Sequence, residues 1–184
     1  MNSTLSRIGT DNSVLLVVDL QQKLLPAMTD AAGCVAASIR LISAARVLDV
    51  PMVVTEQYPA GLGRTCEEVA AALPEGPAIE KTRFSACVEP VLSRLKGLGR
   101  PNVLVVGIEA HVCVQQTVLD LLRNGYGAFV CADAVSSRRA LDRDTALARM
   151  RHAGAVITTT ESAIFEMLGE AGTAAFKQVL KIVK

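Results

Sequence analysis

Two kinds of apolar segment alternate along the chain, short β-branched runs and longer stretches of helical period, and this alternation predicts parallel strands joined by crossover helices. The runs are Val14 to Leu20, Met52 to Glu56, Ala78 to Glu80, Asn102 to Ile108, Ala128 to Ala132 and Ala155 to Thr159. Uninterrupted apolarity in V-L-L-V-V and V-L-V-V suits strands covered on both faces. Between the first two runs, Cys34, Ser38, Leu41, Ile42, Ala45 and Leu48 recur at helical spacing until Pro51 blocks continuation. Val114, Thr117, Val118, Leu121 and Leu122 form a second stripe, closed by Asn124-Gly125, a pair tolerant of left-handed backbone. Leu141 to His152 reads as a further helical segment that leaves His152 on the surface. From Thr173 to Lys184, Phe176, Val179, Leu180 and Val183 share one face, a stripe that docks on the domain or covers a neighbouring subunit. No repeat or linker interrupts the pattern, so residues 1–184 are expected to form one α/β domain.

Composition narrows the function classes. Hydrophobic residues make up 51% of the chain and the mean hydropathy is +0.36, yet no run approaches the roughly 18 apolar residues of a membrane span. The start, Met1 to Ser13, is polar with one arginine, unlike a signal or transit peptide, so a cytoplasmic location is expected. A net charge of +1, no basic run and 3% aromatics remove the usual basis for binding nucleic acid, phosphate neutralisation plus base stacking. The five cysteines (Cys34, Cys66, Cys87, Cys113, Cys131) are scattered and contain no C-x-x-C pair, so they read as reduced thiols rather than a disulfide framework or zinc site. His111 and His152 are too far apart for a local ligand pair. Neither metal nor cofactor is expected.

In an open parallel sheet the ligand crevice lies at the carboxyl ends of the strands, where strand order reverses. Three reactive side chains are expected at that edge: Asp19 ending the first strand, Lys81 after the short third, and Cys113 after the fourth. Alone, each reads as a turn residue, a solvated lysine or a core thiol. Together they supply a nucleophile, a cation and a base. A helix N-terminus and the Lys81 ammonium are both expected to lower the Cys113 thiol below its ordinary value near 8.5, with Asp19 taking the thiol proton and handing it to the leaving group. His111, two residues before the cysteine, is a rival base that would point to another side of the turn. Gly61-Leu-Gly63-Arg-Thr lacks the spacing of a phosphate loop and reads as a mobile loop over the crevice.

V-V-D-L-Q at 17–21, E-K-T-R-F-S at 80–85, G-I-E-A-H-V-C-V at 107–114 and A-D-A-V-S-S-R at 132–138 resemble, in order and spacing, the isochorismatase-like cysteine hydrolases, which include nicotinamidases and carbamoylsarcosine amidases. The resemblance implies a three-layer, Rossmann-like α/β fold, with a six-stranded parallel sheet and helices on both faces. It also implies an Asp19-Lys81-Cys113 triad and a non-proline cis peptide between Ile108 and Glu109, which would aim the backbone amides of Glu109 and Cys113 at an oxyanion. Leu24, Gln57, Tyr58, Phe84 and Ile108 are candidates for a substrate pocket.

Two departures limit what carries over. Nicotinamidases of this family bind a metal through an aspartate and histidines after the second strand, where this chain reads T-E-Q-Y-P-A-G-L-G-R-T without histidine. Bifunctional isochorismatases carry an appended carrier domain, for which these residues have no room. T-E-Q-Y-P and K-T-R-F-S-A-C are most similar to the branch of isochorismatase domain-containing proteins. The expected activity is hydrolysis of a small amide or related C–N bond through a thioester, by a homo-oligomer (a dimer or higher) acting on a small molecule. A catalytically idle binding protein and a redox-responsive thiol protein are the alternatives.

Overall fold

Every residue of the first strand, β1 (Ser13–Val18), is buried, and its side chains alternate between two cores. Leu15 and Val17 join one apolar cluster, and Val14, Leu16 and Val18 join another. A strand buried on both faces has no polar side, which is why the run reads V-L-L-V-V. The computed structural model describes residues 7–184; the first six residues of the polar start lie outside the described residues.

Five further strands complete the sheet: β2 (Met52–Gln57), β3 (Ile79–Lys81), β4 (Asn102–Ile108), β5 (Gly127–Ser136) and β6 (Val156–Thr158). All pairings are parallel, in the order β3-β2-β1-β4-β5-β6. The order reverses between β1 and β4, and this is the switch point at which an open α/β sheet forms its crevice. The helices are α1 (Ala31–Val47), α2 (Pro59–Leu62), α3 (Glu67–Ala72), α4 (Glu89–Leu98), α5 (Gln115–Arg123), α6 (Ala140–His152), α7 (Thr160–Leu168) and α8 (Ala174–Val183). One face of the sheet is covered by α1, α3, α7 and α8, the other by α4, α5 and α6.

Strand β5 runs well past the predicted Ala132. After a shift in register between Val105 and Gly107 of β4 it continues pairing, to bring Ser136 beside Ile108. The polar Asp133 that masked this extension is a cap for α7, accepting from the Thr160 amide (2.8 Å) and hydroxyl. The C-terminal stripe docks within its own chain. Helix α8 packs on α1 and α7, with Val179 fully buried and Val183 against the same core.

Gly107 of β4 pairs with Val18 at the end of β1. Its φ is +127°, and a Cβ there would overlap the Val18 carbonyl. Any side chain would push the strand ends apart immediately before both bear their candidate residues.

Candidate functional site

Asp19 is the first residue beyond β1, and its φ of +52° turns the chain out of the strand. That conformation is disfavoured for L-residues by about 1 kcal/mol, least so for Asp and Asn. The Asp19 amide donates to the Thr55 carbonyl of β2 (3.2 Å). Its buried carboxylate is gripped at both oxygens, Oδ2 by Lys81 Nζ at 2.6 Å and Oδ1 by the Thr55 hydroxyl at 2.8 Å.

Lys81 ends β3, and neither it nor Asp19 has any side-chain exposure. Its Nζ also donates to Gln57 Oε1 (2.9 Å) and to the carbonyls of Phe84 (3.0 Å) and Arg83 (3.2 Å). Four acceptors around three ammonium protons replace the lost hydration, the condition under which a buried charge is tolerated.

Cys113 sits in a π-helical turn, Ala110–Val114, that runs into α5. The turn follows a cis peptide bond between Ile108 and Glu109. The thiol lies within reach of the Asp19 carboxylate. Asp19, Lys81 and Cys113, 94 residues apart at the extremes of the numbering, thus share one buried point at the switch of strand order.

The expected lowering of the thiol does not occur. Burial, reinforced by the Asp19 charge, pushes Cys113 up to about 12, and Lys81 only partly offsets this. The lysine is already committed to Asp19, and α5 proper begins two residues beyond the sulfur, so neither expected source of stabilisation acts on the thiolate undivided. Cys113 rests as a neutral thiol beside a buried carboxylate.

Burial also pushes Cys34 up to about 12 and Cys87 up to about 11, and raises Cys66 and Cys131. Such thiols remain protonated when folded but ionise near pH 9 once unfolded. Stability is therefore full below about pH 9 and falls as pH rises, by roughly 1 kcal/mol per pH unit for each strongly raised thiol. Urea denaturation at pH 8, 9 and 10 is expected to show Cys34, Cys87, Cys113 and Cys131 together removing roughly 4 to 5 kcal/mol between pH 9 and 10. Cys34→Ala should flatten that fall by about a quarter.

The remaining predicted residues fall into two groups. Gln57 joins the site, bridging Lys81 and the Thr82 carbonyl. Tyr58 and Phe84 are adjacent to it through their backbones, the Tyr58 amide donating to the Lys81 carbonyl at 2.8 Å, and both rings are more than half exposed. Leu24 is half-buried against the core. Ile108 has no exposed surface and belongs to the core, since the cis peptide places the chain's outward turn after it. Nδ1 of His111 pairs with Ser137 Oγ at 3.0 Å, while Asp19 occupies the position of base. His152 is exposed.

The segment after β2 is fastened rather than mobile. The Gln22 and Lys23 amides donate to the Arg64 and Leu62 carbonyls, and the Gln21 side chain donates to the Gly63 carbonyl. Glu56 accepts from the Thr65 amide and hydroxyl and from Arg64. Burial pushes Glu56 up, but these hydrogen bonds and the Arg64 charge outweigh it and hold the carboxyl below its usual range.

Thr55 and Thr117 were not legible as site residues. Thr117 donates to the Cys113 carbonyl (2.6 Å) and accepts from the Ala86 amide (2.8 Å), tying the nucleophile's turn to the loop that surrounds Lys81. Its signal was a hydroxyl in an otherwise apolar helical stripe. Among the described residues, no group of three His, Cys, Asp or Glu is arranged to hold a metal ion, and no helix is long and apolar enough to cross a membrane.

Similarity to known proteins covers nearly the whole chain. It is 40% identical to isochorismatase domain-containing protein 2 of Danio rerio, spanning 97% of this chain and 90% of that one. It is also 40% identical to the secreted isochorismatase effector Isc1 of Phytophthora sojae, spanning 98% and 88%. The structure of the MAR1 ribonuclease from Caenorhabditis elegans superposes with a TM-score of 0.93 at 45% identity, covering 97% and 92%. The Escherichia coli YcaC product, an octameric hydrolase of unknown specificity, shares the fold at a TM-score of 0.89 and 23% identity, covering 96% and 90%. The family model of the isochorismatase domain matches residues 13–162, and this chain belongs to that family.

Proposed function

We propose that this protein hydrolyses a small amide or related C–N bond, with Cys113 as nucleophile, Asp19 as proton shuttle and Lys81 as the cation that holds Asp19 in place. The observation that carries this reading is the meeting of three strand-end side chains at one buried point. As the Cys113 sulfur bonds to the carbonyl carbon, its proton passes to Asp19. The carbonyl oxygen becomes an oxyanion, received by the amides of Glu109 and Cys113. Collapse of the intermediate breaks the C–N bond, and Asp19 returns the proton to nitrogen, releasing ammonia or an amine. Water then attacks the thioester, Asp19 accepts its proton, and the carboxylic acid departs as the thiol is restored. A thiol that is neutral at rest suits this sequence, because the proton moves only when the electrophile is present. Each oxyanion donor contributes about a hundredfold or more in such reactions.

A second reading, cleavage of RNA, comes from the MAR1 ribonuclease of C. elegans at 45% identity. The net charge of +1 and the lack of a basic run offer little for a polyanion. Ammonia release from a panel of small amides, run beside degradation of a labelled RNA, separates the two. Cys113-dependent ammonia release with intact RNA supports the amide reading. Cys113-dependent RNA cleavage with no ammonia from any amide overturns it.

A cytoplasmic, homo-oligomeric protein is the accompanying proposal. The P. sojae relative, a secreted effector, speaks against that location, and the octameric E. coli neighbour supports assembly. Fractionation and light scattering test them.

A further inference from the structure

We propose that Thr55 is a positioning residue for Asp19, its hydroxyl locking the carboxylate in the rotation that faces the Cys113 thiol. The inference rests on the hydrolase reading of the same site.

Thr55 reaches Asp19 twice from β2. Its carbonyl accepts from the Asp19 amide, and its hydroxyl donates to Asp19 Oδ1 at 2.8 Å. Both residues are fully buried, and Val18 pairs with Thr55 in the β1–β2 register, so the clasp forms where β1 ends. The backbone contact helps hold Asp19 at its positive φ. The side-chain contact does something different. Lys81 holds only Oδ2, and a carboxylate tethered at one oxygen can pivot about that contact. A second donor of different origin on Oδ1 removes the pivot. With its rotation fixed, the carboxylate meets the Cys113 thiol, with which it shares a hydrogen bond, in one orientation.

Losing this hydrogen bond should misdirect the base while leaving its Lys81 contact in place.

The test needs no knowledge of the substrate. Acrylamide is an amide-bearing electrophile. The Cys113 sulfur adds to its β-carbon while the thiol proton passes to Asp19 and then to the α-carbon, so one S–C bond forms, the C=C bond becomes single, and nothing leaves. Addition at Cys113 is followed by peptide mass spectrometry from pH 5 to 9 in the wild type, Thr55→Val and Thr55→Ser. Thr55→Val keeps the volume and the strand preference while deleting the hydroxyl.

We expect Thr55→Val to add acrylamide at least about tenfold more slowly at pH 7. Thr55→Ser should restore the rate. If Thr55→Val does not fold, Thr55→Ala carries the same comparison. Wild-type rates in the hydroxyl-free variant would overturn the proposal, as would a serine variant as slow as the valine one. A wild-type Cys113 that neither adds acrylamide nor turns over any amide overturns the hydrolase reading itself, a failure visible before any Thr55 variant is compared.

Discussion

Cys113→Ala is expected to abolish ammonia release from every amide the wild type hydrolyses, a loss of about 10⁴-fold or more. The size of the effect follows from the covalent step, since without sulfur no thioester forms and Asp19 has no proton to move. The alanine variant should retain a wild-type unfolding midpoint to within roughly 1 kcal/mol, because removing one small thiol leaves only a small void. It should also shed part of the alkaline instability, as the thiol that burial and Asp19 push up to about 12 is gone. Cys113→Ser tests the chemistry more finely. A hydroxyl beside the same base is a far weaker nucleophile than sulfur, so serine should fail nearly as completely despite its similar shape. Turnover by either variant at more than about a hundredth of the wild-type rate would show that the chemistry lies elsewhere.

Lys81→Met should be the most damaging single change to stability at the site, costing about 3 to 5 kcal/mol. The lysine side chain is wholly buried, 2.6 Å from an equally buried Asp19. Removing it leaves the carboxylate with the Thr55 hydroxyl but without a cation, and it deprives Gln57, Arg83 and Phe84 of the donor that fixes the loop after β3. The double variant Asp19→Asn/Lys81→Met separates charge from packing. Asparagine tolerates the positive φ of position 19, and with both charges gone most of the lost stability should return, to within about 2 kcal/mol of wild type, while hydrolysis stays absent. Urea denaturation and ammonia release read the two quantities separately. If Lys81→Met costs less than about 1 kcal/mol, Asp19 is not carrying a buried charge that depends on lysine.

Membership of the isochorismatase domain family places this chain among proteins of diverse described roles, from a secreted effector to a ribonuclease. A shared scaffold is consistent with that diversity, because Asp19, Lys81 and Cys113 are held by the sheet and the turn after β4, whereas the exposed Tyr58 and Phe84 sit on the connections. Connections vary most readily without disturbing a core.

Local pattern determined a great deal. Because a strand buried on both faces must be apolar throughout, V-L-L-V-V and V-L-V-V marked β1 and β4. Asp19, which breaks the first run at its carboxyl end, was visible as an anomaly for the same reason, whereas Lys81 follows a short strand with an exposed Glu80 and was marked by the motif around it. The cysteine after β4 was visible too, but only its coincidence with those two, and the motifs around them, distinguished it from a core thiol.

What tertiary structure alone decided was the balance of forces at each point. Thr55 looked like an ordinary β-former until the parallel register set it beside the end of β1. The segment from Tyr58 to Thr65 carries glycines and reads as loose, yet Gln21, Gln22, Lys23 and Glu56, distant or alternating in sequence, fasten it. The charge state of Cys113 was misjudged because a pattern names neighbours without weighing them. Desolvation and a carboxylate shared with Lys81 are set by distances in space, and those distances turn an expected thiolate into a thiol waiting beside its base.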